Sequence, residues 1–114
     1  MVFKHDDIIV DKPQPQAHWN ASKGAVYRLT SSFACELASQ GLRVNAVAPG
    51  YTLTEMTKLG LGQTEWSEIW QEMTPMKRFA EPSGIASDAL FLALPAVSIM
   101  TGSVILVDEG HTSW

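Results

Sequence analysis

Ala17 to Gly41 narrows what this chain can fold into more than any other stretch. Its apolar residues Val26, Leu29, Phe33 and Leu37 recur at steps of three, four and four. That spacing predicts a helix burying one continuous stripe. Leu, Ala and Glu favour helix in its second half, and Gly41 stands where a helix stops in a left-handed turn. Trp19 and Lys23 are one helical turn apart and share a face. Cys35, in mid-helix, reads as a small core residue rather than a reactive thiol.

Composition matters mainly for what it excludes. The 114 residues carry a net charge of −4 with no basic stripe, so nucleic acid is not an expected partner. The apolar run from Ala89 to Met100 is broken by Pro95 and is too short to cross a bilayer. His5, Asp6 and Asp7 fall where a leader's apolar run would lie, and the lone cysteine suits a reducing compartment, so a cytoplasmic location is expected. His5, His18 and His111 have no ligand spacing, and no metal site is expected.

Taken in order, Ile8–Val10 reads as a strand candidate after the acidic pair Asp6–Asp7, which itself favours a loop. Residues 12–16, with their two prolines, must be extended. After the long helix, Leu42–Ala48 reads as a strand of a parallel sheet covered on both faces. Tyr51–Pro75 is a polar helical insertion broken between Gly60 and Gly62, with Thr64 as N-cap of its second piece and Trp66 and Trp70 four apart. Pro82 opens a helix with Ile85, Ala89 and Leu92 along one face. Ser103–Val107 reads as a second buried strand. Helix, strand, insertion, helix, strand is the back half of a wound α/β sheet, and residues 1–114 read as a single partial domain.

The phrases HWNASKGAV, LRVNAVAPGYTLTEM, KRFAEP and TGSVILVDEG, in that order, resemble the C-terminal half of the classical short-chain dehydrogenases/reductases. The likeness is nearest to the polyol and sugar-ketone reductases of that family, and runs from about Pro13 to Trp114. It implies a Rossmann-type, doubly wound parallel sheet in three α/β/α layers, with the N-terminal nucleotide-binding half missing. It implies oxidoreduction of alcohols or ketones with NAD or NADP, and dimers or tetramers paired through the long helix and last strand. By resemblance, cofactor contact falls to Lys23, Pro49, Gly50, Thr52 and Thr54. Trp66 and Trp70 would lie in the substrate flap, as an apolar wall or as a core or subunit contact.

The chain departs from the family pattern in places that matter. The catalytic tyrosine place holds Trp19, four before the retained Lys23. An indole N–H donates a hydrogen bond but does not titrate, so it cannot serve as the general acid or base. Trp19 instead reads as a filler of the vacated cavity, and Lys23, without the family pattern, as a solvated helix lysine. Where the family places a serine a dozen residues earlier stand Asp6 and Asp7. Glu109 replaces a glycine, which implies strain if that glycine's φ is positive. No glycine-rich turn follows a strand. The expectation is a chain without turnover or firm cofactor binding of its own; the alternative is a non-catalytic module that pairs with itself or with full-length relatives.

Overall fold

The computed structural model describes residues 16–61 and 64–113. The expectations for Asp6, Asp7, Ile8–Val10, the two prolines before Gln16, Gly62 and Trp114 lie outside the described residues. Helix α1 spans Ala17–Leu37 and passes into a 3-10 turn, Ala38–Gln40. It ends three residues short of Gln40 because the chain tightens there. Gly41, at φ 74°, then takes the left-handed turn and returns its N–H to Ala38 O at 3.0 Å.

The segment after it corrects the expected strand at Leu42–Ala48. Strand β1 is Ala46–Pro49. Leu42 is exposed, and residues 43–45 are held by one backbone bond, Gly102 N to Val44 O at 2.7 Å, and otherwise by side chains. The Arg43 guanidinium donates to Leu92 O at 2.9 Å, Val97 O at 3.2 Å and Met100 O at 3.3 Å. Asn45 donates to Met100 O at 2.8 Å and accepts from Ser103 N at 3.1 Å. These bonds fasten the approach to β1 against the approach to β2, Val104–Val107, before pairing starts. The two strands then run parallel, Ala46 opposite Val104 through Pro49 opposite Val107.

Helix α1 lies on the face of β1 that presents Ala46 and Ala48, where Val26, Tyr27 and Val104 pack. Helix α4, Pro82–Ala93, packs against β1 on the other side. The result is three layers, helix on sheet on helix. The buried line of α1 is not the one the apolar spacing selects. Thr30 and Ala34 are buried, while Leu29 and Phe33 are 41% and 38% exposed and Cys35 is exposed. Small side chains on both surfaces let the helix backbone approach the alanines of β1. The Thr30 hydroxyl can be buried because it donates to Val26 O at 2.9 Å.

Pro82 occupies the first turn of α4 as expected of its fixed φ. The inward line is Ile85, Asp88 and Leu92; Ala89, expected on it, is exposed. Strand β2 is also less covered than expected, with Leu106 exposed. Between β1 and α4, helices α2 (Glu55–Leu61) and α3 (Thr64–Met73) form the insertion.

Candidate functional site

The carboxyl end of β1 turns at Gly50, and the geometry there tolerates nothing larger. A Cβ on Gly50 would lie 2.8 Å from Asp108 Cα, while its N–H donates to Val107 O at 3.1 Å. The two strand ends are thus locked together just where the turn begins. Tyr51 is buried behind it. Its ring stacks on Trp70 with centroids 4.7 Å apart and meets Phe79 and His111 edge-on. Thr52 pairs with Ala80 in a parallel bridge, flanked by Leu53 N to Ala80 O at 2.9 Å and Ala80 N to Tyr51 O at 2.8 Å.

The threonines of the turn bond to one another. Thr52 Oγ1 donates to Gly50 O at 3.1 Å, and Thr57 Oγ1 to Thr52 O at 2.6 Å. Thr54 accepts from Thr57 N at 3.2 Å, capping α2, and its hydroxyl lies 2.8 Å from that of Thr57. On α1, Lys23 Nζ sits 4.7 Å from the centre of the Trp19 ring, so the shared face read from the sequence is occupied by a cation–π contact. Among the described residues, no hydrogen bond or ring contact joins Trp19 or Lys23 to Pro49, Gly50, Thr52 or Thr54. The two candidate groups therefore stand as separate clusters. Trp70 is buried at 5% exposure, and Trp66 leans against it at 6.1 Å, so the inner indole of the pair is a core contact.

The sequence reading passed over a second cluster, at the end of β2. Asp108 is buried and accepts from Thr112 Oγ1 at 2.6 Å, Thr112 N at 2.9 Å and Gly110 N at 3.1 Å. Burial alone would raise its pKa, but these donors together outweigh burial and hold the carboxyl below its ordinary value. Glu109 has φ 54°, the left-handed region. Its pKa is pushed up, chiefly by burial, with Asp108 and Asp88 adding to the rise and Arg78 opposing it. Glu109 and Asp88 help line a cleft of about 530 Å³ between the segment from Met76 to Glu81, the start of α4 and the end of β2. Only the Asp-x-Gly-x-Thr spacing of residues 108–112 could have signalled the carboxylate turn, through the habit of Asp to bond backbone N–H groups two residues on.

Comparison with known proteins follows the same lines. The family model described as enoyl-(acyl carrier protein) reductase matches residues 9–112. Galactitol 2-dehydrogenase (L-tagatose-forming) of Cereibacter sphaeroides is 53% identical over 106 residues, covering 93% of this chain and 42% of its own. D-arabinitol 2-dehydrogenase (ribulose-forming) of Scheffersomyces stipitis is 44% identical over 108 residues, covering 93% and 39%. The crystal structure of gox2181 superposes with a TM-score of 0.95 at 42% identity, over 99% of this chain and 44% of that one. A short-chain type dehydrogenase/reductase from Mycobacterium marinum gives 0.87 at 35% identity, over 97% and 43%. The chain spans about two fifths of the length of these relatives, and its layers are part of their sheet. With a family model across most of its length and relatives of this similarity, the chain belongs to the short-chain dehydrogenase/reductase family.

Proposed function

We propose that this chain is the part of an NAD(P)-dependent polyol or sugar-ketone oxidoreductase that carries the central helix, the turn after β1 and the flap, and that it does not turn over by itself. Support for the substrate class comes from the galactitol and arabinitol dehydrogenases it resembles. Support for the cofactor class comes from a relative from Beutenbergia cavernae, described as NAD(P) dependent, whose crystal structure holds NADP and which superposes at 0.90.

The observation that carries the second half of the reading is Lys23 Nζ at 4.7 Å over Trp19. The cation that would hold down a phenol's pKa is parked on an indole, whose N–H does not titrate. Removing a positioned acid–base group costs about a hundred- to ten-thousand-fold in rate. Tyr27 offers no substitute, since it packs against the alanines of β1.

The residues present do not fit a whole dinucleotide. The Thr52 and Thr54 hydroxyls are already engaged within the turn, and no glycine-rich turn precedes a helix among the described residues. The chain alone is therefore expected to carry out no hydride transfer. The test is direct: the purified chain, with NADH or NADPH and a panel of ketoses, is expected to give no oxidation above background. A rate that disappears with Lys23→Ala would overturn the proposal.

A second reading, a non-catalytic module that pairs with itself or with full-length relatives, is favoured by one observation. Leu29 and Phe33 stand exposed on α1, and Leu106 on β2. Light scattering during size-exclusion chromatography decides it, since a clean monomer would remove the self-pairing form.

A further inference from the structure

Three charged side chains line the cleft between residues 76–81, the start of α4 and the end of β2, one from each wall. Arg78 is exposed on the first wall, and Asp88 and Glu109 are half-buried on the other two. Among the described residues, no side-chain hydrogen bond or ion pair neutralises any of the three. They are nonetheless close enough to act on one another. Burial is what most disfavours the ionised form of Glu109; Arg78 opposes burial, and Asp108 and Asp88 reinforce it. Glu109 thus lies in the field of a guanidinium that does not close on it. The other carboxylates of the lining are accounted for. Asp108 is committed to Thr112 and Gly110, and Glu81 is exposed to solvent.

The walls that carry these charges are tied down. Met76 N donates to Glu109 O at 3.3 Å and Ala80 pairs with Thr52, so the backbone on either side of Arg78 is fixed. Asp88 lies within helix α4. A cleft of about 530 Å³ is of small-molecule size, far larger than a bare ion needs. Phe79, Ile85 and Val107, all half-buried, give it an apolar lining as well.

We propose that this cleft binds a small zwitterion, its carboxylate on Arg78, its ammonium on Asp88 and Glu109, and its carbon chain against the apolar lining. A ligand of both charges supplies the two counter-charges that the chain itself leaves unfilled. A neutral polyol supplies neither, and a bare cation leaves Arg78 and the apolar lining unused. Every charge the site uses lies on residues 78–109, so it is built by this chain alone. The inference uses neither Trp19 nor Lys23 and stands apart from the oxidoreductase reading.

The test is to titrate the amide NMR spectrum of the full 114-residue chain with ε-aminocaproate, and in parallel with caproate, hexylammonium and galactitol. The zwitterion is expected to give saturable shifts at Arg78, Asp88 and Glu109, with a Kd on the order of 1 mM. The other three probes are expected to bind about tenfold more weakly or not at all. Arg78→Gln and Glu109→Gln are each expected to weaken the zwitterion about tenfold, while amides outside the cleft keep their positions. Arg78 is exposed, so its variant keeps the test decisive should Glu109→Gln disturb the turn. No saturable shift with ε-aminocaproate, any of the other three probes binding as tightly, or undiminished affinity in Arg78→Gln would each overturn the proposal.

Discussion

Lys23 Nζ lies 4.7 Å from the centre of the Trp19 indole, one turn along α1. A tryptophan thus satisfies the lysine's charge by its π face, where a phenol would have its pKa lowered by the same charge. Trp19→Tyr makes that difference measurable. The new phenol beside the ammonium is expected to titrate below the usual tyrosine value of about 10. The check is the ultraviolet difference spectrum of the variant against the parent, in which Tyr27 and Tyr51 cancel. A new phenol titrating at or above the usual value would show that Lys23 does not act on position 19.

Trp70 and Trp66 are expected to part company on substitution. Trp70→Ala removes a buried ring stacked on Tyr51, and a core aromatic lost to alanine costs about 3–5 kcal/mol. Trp66→Ala, at a half-buried position, is expected to cost about 1 kcal/mol. Urea unfolding of the two variants gives the comparison; equal losses would contradict the assignment of Trp70 to the core.

Gly50→Ala is expected to destabilise by about 1–3 kcal/mol, the usual cost of overpacking. The added Cβ would meet Asp108 Cα at 2.8 Å, and that atom is backbone, so the two strand ends must move apart. Thermal denaturation reads the loss.

Glu109→Gly is expected to stabilise by about 1 kcal/mol, because a residue with a side chain is held at φ 54°. Chemical denaturation at neutral pH measures the gain.

The neighbouring carboxylates are expected to bend the pH profile of stability in opposite senses. Burial raises the folded pKa of Glu109 above 4.5, so its ionised form is disfavoured in the fold. Stability is then lost as pH rises from 4.5 through the folded pKa, and Glu109→Gln is expected to remove that loss. Asp108 is shifted down, its Thr112 and Gly110 donors outweighing burial. Its contribution is complete above 3.8 and is lost as pH falls through the folded pKa, and Asp108→Asn is expected to forfeit it. Urea midpoints of the parent and both variants between pH 3 and 7 give the test.

Local chemistry was legible in the sequence wherever one residue sets the backbone. Gly41 ends α1 in a left-handed turn and Pro82 starts α4, as their own φ preferences require. The order of elements was also legible, because the hydrophobic period changes from segment to segment. The Trp19–Lys23 contact follows from helical spacing alone. The start of β1 was not legible, since Arg43 and Asn45 look like strand residues until carbonyls some fifty positions away accept their bonds. The Asp108 turn and its cleft were missed for a similar reason, since Met76, Phe79 and Asp88 reach the cleft only through folding.

By itself, the sequence determined that this is an α/β chain of a recognisable family with an indole at position 19, because spacing and residue identity are local facts. Only the tertiary structure decided which face of α1 is buried and that Trp70 belongs to the core. Those outcomes depend on how closely surfaces approach: Val26 and Tyr27 pack on Ala46 and Ala48, and α1 buries its small Thr30 and Ala34 while the larger Leu29 and Phe33 stay exposed.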